Sequence, residues 1–218
     1  WKGTLWDKPD WADRPPKNVA WTELQNQPMY EPGKNWKYND VRVNLLAFSG
    51  LQVWRKPLPQ VLKENIMDPI GASNTWRWHG YENSWVLLDG HMMQSVSGGG
   101  HWGGGVWINA LDHARFGYLF LRNGKWKNKQ IISEKWIEMA STPTDIHQGY
   151  GYMNWFLNSD KEGKNKSIPA APKTAVTFRG AGSNIIYIDW ENDIVCVVRW
   201  IDRTKFNQFI KLMLTALD

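Results

Sequence analysis

A tyrosine and a carboxylate two residues apart, Tyr38 and Asp40, lie between a turn signal and an apolar run. The turn signal is Pro32-Gly33, a pair that favours a tight reversal with positive φ at the glycine. The run is Val41 to Leu51, and Asp40 is placed to cap a helix that begins there. Two polar side chains at the lip of a buried helix are held in one orientation, as proton transfer requires. Two other stretches carry reactive or binding types. In Ser97-Gly98-Gly99-Gly100-His101-Trp102-Gly103-Gly104-Gly105, a histidine and a tryptophan stand among glycines that let backbone approach a ligand closely. In Phe178-Arg179-Gly180-Ala181, a cation precedes a glycine between two strand-like runs.

Acyl transfer by a serine needs a nucleophile, a base for its proton and N–H donors for the oxyanion. Tyr38-Asn39-Asp40 resembles the second motif, Tyr-x-Asn, of the serine beta-lactamase, penicillin-binding protein and esterase superfamily. The resemblance covers the chain from about Trp21 onward, most clearly at Tyr38 to Val43, Gly98 to Phe116 and Gly180 to Trp200. It implies that Tyr38 shares the proton transfers and that Asp40 occupies the position of the asparagine. A carboxylate there holds a neighbouring lysine protonated more firmly than an amide does, which favours ester or amide substrates over lactams. For the third motif, Phe178-Arg179-Gly180 matches His-x-Gly by spacing, whereas Lys173-Thr174-Ala175 is nearer to Lys-Thr-Gly in letters. The first register keeps the distance to the next turn without a bulge. It makes the Ala181 N–H an oxyanion donor after Gly180, and leaves Arg179 either to meet a substrate carboxylate or to stand as a solvated edge charge. His101 and Trp102 become candidate cleft side chains. The first motif, Ser-x-x-Lys, is absent, because no serine of the 218 residues has a lysine three places on.

The resemblance therefore implies a serine hydrolase acting through an acyl-enzyme, with its nucleophile on a missing N-terminal segment. Two readings from other classes stand beside it: a nucleophile-free module that binds peptide or glycan, and a carbohydrate-binding domain built on the 16 tryptophans. The substrate is a small molecule or peptide in the first reading, and a separate N-terminal fragment is an expected partner. No cofactor is implied. His79, His91, His101 and His113 form no known metal-ligand spacing, so no metal is expected.

Composition excludes other classes. With 42% hydrophobic residues the chain can bury a full core, so disorder is excluded. Its net charge of +5 is scattered rather than clustered, which argues against a nucleic-acid footprint. No stretch reaches the roughly 20 apolar residues of a membrane span. The single cysteine, Cys196, forms no internal disulfide and reads as a small buried hydrophobe, so the compartment is open; the resemblance implies the cell envelope or periplasm.

Periodicity places the motifs on elements. Residues 1 to 37 read as a proline-rich loop with a short helix near Trp21 to Asn26. Helices are expected over Val41 to Arg55, Leu58 to Ile66, Ala110 to Leu121, Ser133 to Ala140 and Lys205 to Leu217. Strands are expected over Tyr150 to Leu157, Val176 to Arg179, Ile185 to Trp190 and Ile194 to Trp200. Asp112 and Arg115 read as a structural pair at a helix start, and Lys161 to Lys166 as an exposed loop. Helices, then an antiparallel meander, then a closing helix define an α+β fold, a single N-terminally incomplete domain over residues 1–218.

An incomplete domain leaves part of its sheet uncovered. Losing ~400 Å² of apolar burial costs about 10 kcal/mol, as much as the whole stability of a domain. The 218-residue chain is therefore expected to elute with a second polypeptide or as an oligomer in size-exclusion chromatography with light scattering. A monodisperse monomer of 25.3 kDa contradicts that expectation.

Overall fold

The computed structural model describes residues 4–5, 8–9, 31–36, 38, 40–82, 84–96, 105–158 and 166–217. The chain forms two compact units, one of residues 1–66 and 74–108, the other of residues 67–73 and 109–218.

In the first unit, β1 (Thr4–Leu5) pairs with β2 (Lys8–Pro9). Helix α1 spans Asp40–Trp54 and helix α2 spans Leu58–Leu62, which Pro57 and Pro59 can start because a first-turn N–H needs no partner. A π-helical turn, Lys63–Met67, replaces the expected continuation to Ile66. Asp40 is thus the first helical residue rather than the cap before it, a shift of one position at a helix end. The apolar run also differs from the buried helix expected of it. Among the described side chains of α1 only Leu51 is buried, while Leu46, Val53 and Trp54 are exposed. Apolar composition favours the helix but does not supply a covering partner.

None of the expected strands falls within residues 76–107, yet these hold β3 (Arg77–His79), β4 (Trp85–Leu88), β5 (His91–Gln94) and β6 (Gly105–Trp107). β4 and β5 form a hairpin around Asp89-Gly90, both with positive φ, the usual requirement of a two-residue hairpin turn. β3 pairs with β6 from Arg77↔Trp107 to His79↔Gly105. Such a distant pairing leaves no local signature.

The second unit is a helix–sheet–helix sandwich. Helix α3 spans Ala110–Leu121 as expected, and Asn123 and Gly124 end it with positive φ. A small hairpin, β7 (Lys125–Trp126) and β8 (Lys129–Gln130), leads to α4 (Glu134–Ala140), where the Ser133 side chain caps the Trp136 N–H. The main sheet has the order β12-β11-β10-β9, all antiparallel, with β9 at Trp155–Phe156, β10 at Val176–Gly180, β11 at Asn184–Asp189 and β12 at Ile194–Val198. The strand expected over Tyr150 to Leu157 shrinks to β9, because Met153 takes a φ of 66° and the preceding residues fold into a tight loop. After the 3-10 turn Arg203–Lys205, α5 (Phe206–Thr215) closes the chain.

Strand alternation sends side chains to two cores. Val176, Ile186 and Ile188 pack with Phe120, Leu121, Ile137 and Ala140 of α3 and α4. Ile185 and Tyr187 pack with Phe206 and Ile210 of α5. Cys196, expected to be buried, is half-buried on the α5 side. The β11–β12 turn is fastened by the fully buried Asp189, which accepts from the Tyr187 hydroxyl at 2.8 Å, from the Glu191 and Asn192 N–H groups, and from the Asn192 amide. Burial, then this bond to a carboxylate, pushes the Tyr187 phenol far above its ordinary range.

Helix α3 touches the sheet through Gly117, where a Cβ would stand 2.6 Å from Val195 Cγ1 and 2.8 Å from Ile186 Cγ2. Gly117→Ala is expected to lower the unfolding free energy by about 1–3 kcal/mol through overpacking, although alanine is the better helix former. Urea midpoints of the two proteins check this, and a stabilised variant would mean that the helix rides free of the sheet.

Candidate active site

Tyr38 reaches its place through the turn expected from Pro32-Gly33. The Lys34 N–H donates to the Glu31 carbonyl at 3.1 Å and Gly33 has a φ of 81°, the signature of a type II reversal. Tyr38 is 57% exposed, two residues ahead of α1 in the first unit. Asn39 and the side chain of Asp40 lie outside the described residues, as do His101, Trp102 and the glycines from Gly98 to Gly104. The helix expected near Trp21 and residues 161–165 of the charged loop lie outside them too.

Arg179, Gly180 and Ala181 belong to the second unit. β9 pairs with β10 only at Val176↔Phe156 and Thr177↔Trp155, so from Phe178 onward β10 has only β11 beside it. Among the described residues no strand pairs with its other edge over Phe178-Arg179-Gly180. Arg179 Nε donates to Thr177 Oγ1 at 2.9 Å, and the guanidinium carbon sits 5.6 Å from the centre of the Trp155 ring. A cation over an indole face is attracted by the ring quadrupole. The indole is braced in turn by Tyr150, edge-on at 4.7 Å, and by the buried His147. Arg179 as a whole residue is exposed, but partial desolvation of its guanidinium, and secondarily the charge of Arg203, make it less basic than usual, though it stays a cation at any physiological pH. Sequence inspection missed Thr177 and Trp155. The available signal was the two-residue spacing of Thr177 and Arg179, which puts both on one face of a strand.

Beyond Gly180 the chain turns through Ala181, Gly182 and Ser183 into β11, and the Asn184 side chain donates to the Ala181 carbonyl. Among the described residues no carbonyl accepts from the Ala181 N–H. Lys173 and Thr174 lie before β10, in a turn where Lys173 is exposed and the Thr174 hydroxyl donates to Glu191 at 2.8 Å.

Two titratable groups near the start of α3 have structural partners. Asp112 is buried and accepts from Ser73 N–H at 3.0 Å, Ser73 Oγ at 2.6 Å and Asn109 Nδ2 at 2.7 Å. Arg115, its expected partner, stands at 3.6 Å. Burial alone would raise the Asp112 pKa, but these hydrogen bonds and the Arg115 charge outweigh it and hold the carboxyl below its usual range. His113 Nδ1 lies 3.2 Å from Arg199 Nη2. Burial, then the Arg199 cation, lowers the imidazole pKa to about 4, so it is neutral at pH 7 and accepts from the arginine. Among the described residues no group of three or more His, Cys, Asp or Glu side chains gathers as a metal site, and no helix is long and apolar enough to cross a membrane.

An antiparallel sheet flanked by helices on both faces defines an α+β fold, and β10 runs within it into a glycine turn. The family profile described as Beta-lactamase matches residues 2–204, and the chain belongs to that family, within the beta-lactamase-related serine hydrolase superfamily. Solved structures share the fold. A protein assigned as a 6-aminohexanoate-dimer hydrolase from Bacillus anthracis aligns over 87% of this chain with 20% identity and a TM-score of 0.59. A protein assigned as a beta-lactamase from Bacteroides dorei aligns over 89% with 15% identity and a TM-score of 0.54. A beta-lactamase from Mycobacterium bovis aligns over 88% with 16% identity and a TM-score of 0.57. The chain spans 46%, 62% and 67% of the length of these three structures, respectively. No curated protein matches it.

The low pKa of His113 has a consequence for stability. Unfolded, the imidazole titrates near 6.5; folded, it stays neutral down to about 4. Its contribution is complete above pH 6.5 and is lost as pH falls toward 4, because the unfolded state then binds the extra proton. The urea midpoint is expected to fall between pH 7 and pH 5 in the wild type, and to fall less in His113→Asn. Equal losses in the two proteins would assign the acid sensitivity to other groups.

Proposed function

We propose that the chain forms the larger part of a serine hydrolase that cleaves an ester, amide or lactam through an acyl-enzyme. The observation that carries this reading is the edge of β10 over Phe178-Arg179-Gly180, unpaired on one side among the described residues and leading directly into the Ala181 turn. The serine and lysine are proposed to come from residues outside these 218. Serine Oγ attacks the substrate carbonyl while its proton passes to the lysine–tyrosine pair, in which Tyr38 takes part and Asp40 holds the lysine charged or oriented. The tetrahedral oxyanion takes a hydrogen bond from the Ala181 N–H, with Gly180 allowing the close approach. The leaving alkoxide or amine collects the proton, and water repeats the sequence on the acyl-enzyme to release the acid.

Arg179, held on Trp155 and Thr177, is proposed to recognise a carboxylate on the substrate. Its position within a strand, against that of Lys173 in a preceding turn, supports the Phe178-Arg179-Gly180 register of the third motif. His101 and Trp102 are proposed to border the cleft. The missing Ser-x-x-Lys favours one second reading, a nucleophile-free module that binds peptide or glycan in the same place.

Intact-mass analysis with a fluorophosphonate separates the two. The 218-residue chain is expected to take no label, and the full-length gene product is expected to take one equivalent. No label on either protein leaves the binding module. In the full-length enzyme, Arg179→Ala should raise KM for carboxylate-bearing substrates about tenfold, a loss of roughly 1.4 kcal/mol, while Lys173→Ala does little; the reverse ranking would transfer the motif to Lys173.

A further inference from the structure

The turn that carries Ala181 is held from outside by a residue that neither the motif spacing nor the reaction scheme uses. Trp200 lies two residues past β12, and its backbone N–H donates to the Gly182 carbonyl at 3.1 Å. Its indole lies against the same glycine, so that a Cβ at position 182 would stand 2.4 Å from Trp200 Cζ3 and 2.7 Å from Cη2. Gly182, Ser183 and Trp200 all take left-handed backbone, with φ values of 73°, 54° and 58°. Glycine adopts this conformation freely, whereas for a bulky residue it is a costly outlier. Such strain persists only where the surroundings enforce it, and it collects at functional positions. Burial does not repay it here, because Trp200 is 79% exposed. What the strained backbone achieves is the seating of the ring on the turn.

We propose that Trp200 is a positioning residue that clamps the Ala181–Ser183 turn and so fixes the direction of the Ala181 N–H. The proposal rests on the oxyanion role assigned to Ala181. An oxyanion donor is effective because it is aimed before charge develops, and a donor that must first be oriented loses part of that advantage. A three-residue turn with glycine at its centre is soft by itself. Asn184 restrains it at the Ala181 carbonyl, and Trp200 restrains it through a hydrogen bond to the Gly182 carbonyl and a ring against its Cα. Removing the indole takes away the ring contact and leaves both hydrogen bonds, so the turn loses its steric support while its backbone attachment remains. The loss should therefore appear in the transition state and hardly in ground-state binding.

The full-length gene product and its Trp200→Ala and Trp200→Phe variants test this with p-nitrophenyl acetate as substrate and phenylboronic acid as a tetrahedral mimic. Amide hydrogen exchange of residues 181–183 is measured on the same proteins. Trp200→Ala should lower kcat about tenfold, less than the ~10²–10³ that follows loss of an oxyanion donor. The boronate Ki should rise by the same factor, KM should stay within twofold, and the turn amides should exchange faster. Trp200→Phe should recover most of each change. Faster exchange with unchanged kcat and Ki would overturn the positioning role, and unchanged exchange would overturn the clamp. A wild-type protein that takes no fluorophosphonate label would sink the acyl-enzyme reading and the oxyanion role with it, while the exchange measurement still decides whether Trp200 holds the turn.

Discussion

The close seating of α3 on β11 and β12 is the constraint from which the second unit is built. Only a residue without a Cβ lets the helix backbone come so near Val195 and Ile186, and Gly117 is that residue. Once α3 is seated, Phe116 and Phe120 meet Phe178 edge-on at 5.7 and 5.1 Å. Phe178 anchors β10 on the α3 side, and the two-residue period then sends Thr177 and Arg179 to the α5 side. The same seating carries Asp112 and His113 to partners far away in sequence, Ser73 and Arg199.

The candidate site illustrates how rigid elements serve short, exposed segments. Among the described residues, Arg179 owes its placement to a strand register, a threonine hydroxyl and an indole face rather than to a carboxylate partner. A cation held by neutral groups keeps its charge available for an anionic ligand, whereas an ion pair would spend it internally. Asp112 and Asp189 do the opposite. Each is buried and surrounded by donors, so each fastens a junction and offers nothing to solvent.

What could be read from the residues alone was whatever depends on neighbours in sequence. The Pro32-Gly33 turn, the limits of α3, the Ser133 cap and the three long strands of the main sheet follow from φ preferences, capping chemistry and hydrophobic period, all of which act over a few residues. The motif spacing around Tyr38 and Arg179 was equally local, and it sufficed to point to the family that residues 2–204 match.

The tertiary structure decided what depends on approach between distant segments. Strands β3 and β6 exist because Arg77 meets Trp107, and nothing in either stretch carries that pairing. The exposure of Leu46, Val53 and Trp54 on α1 could not be foreseen, since an apolar run encodes a preference for burial and not the surface that provides it. Thr177 and Trp155 beneath Arg179, and Trp200 against Gly182, are contacts across strands and turns. Residue types are written along the chain. Which side chain stands over which backbone is settled only when sheet register and helix seating bring them within a few ångströms.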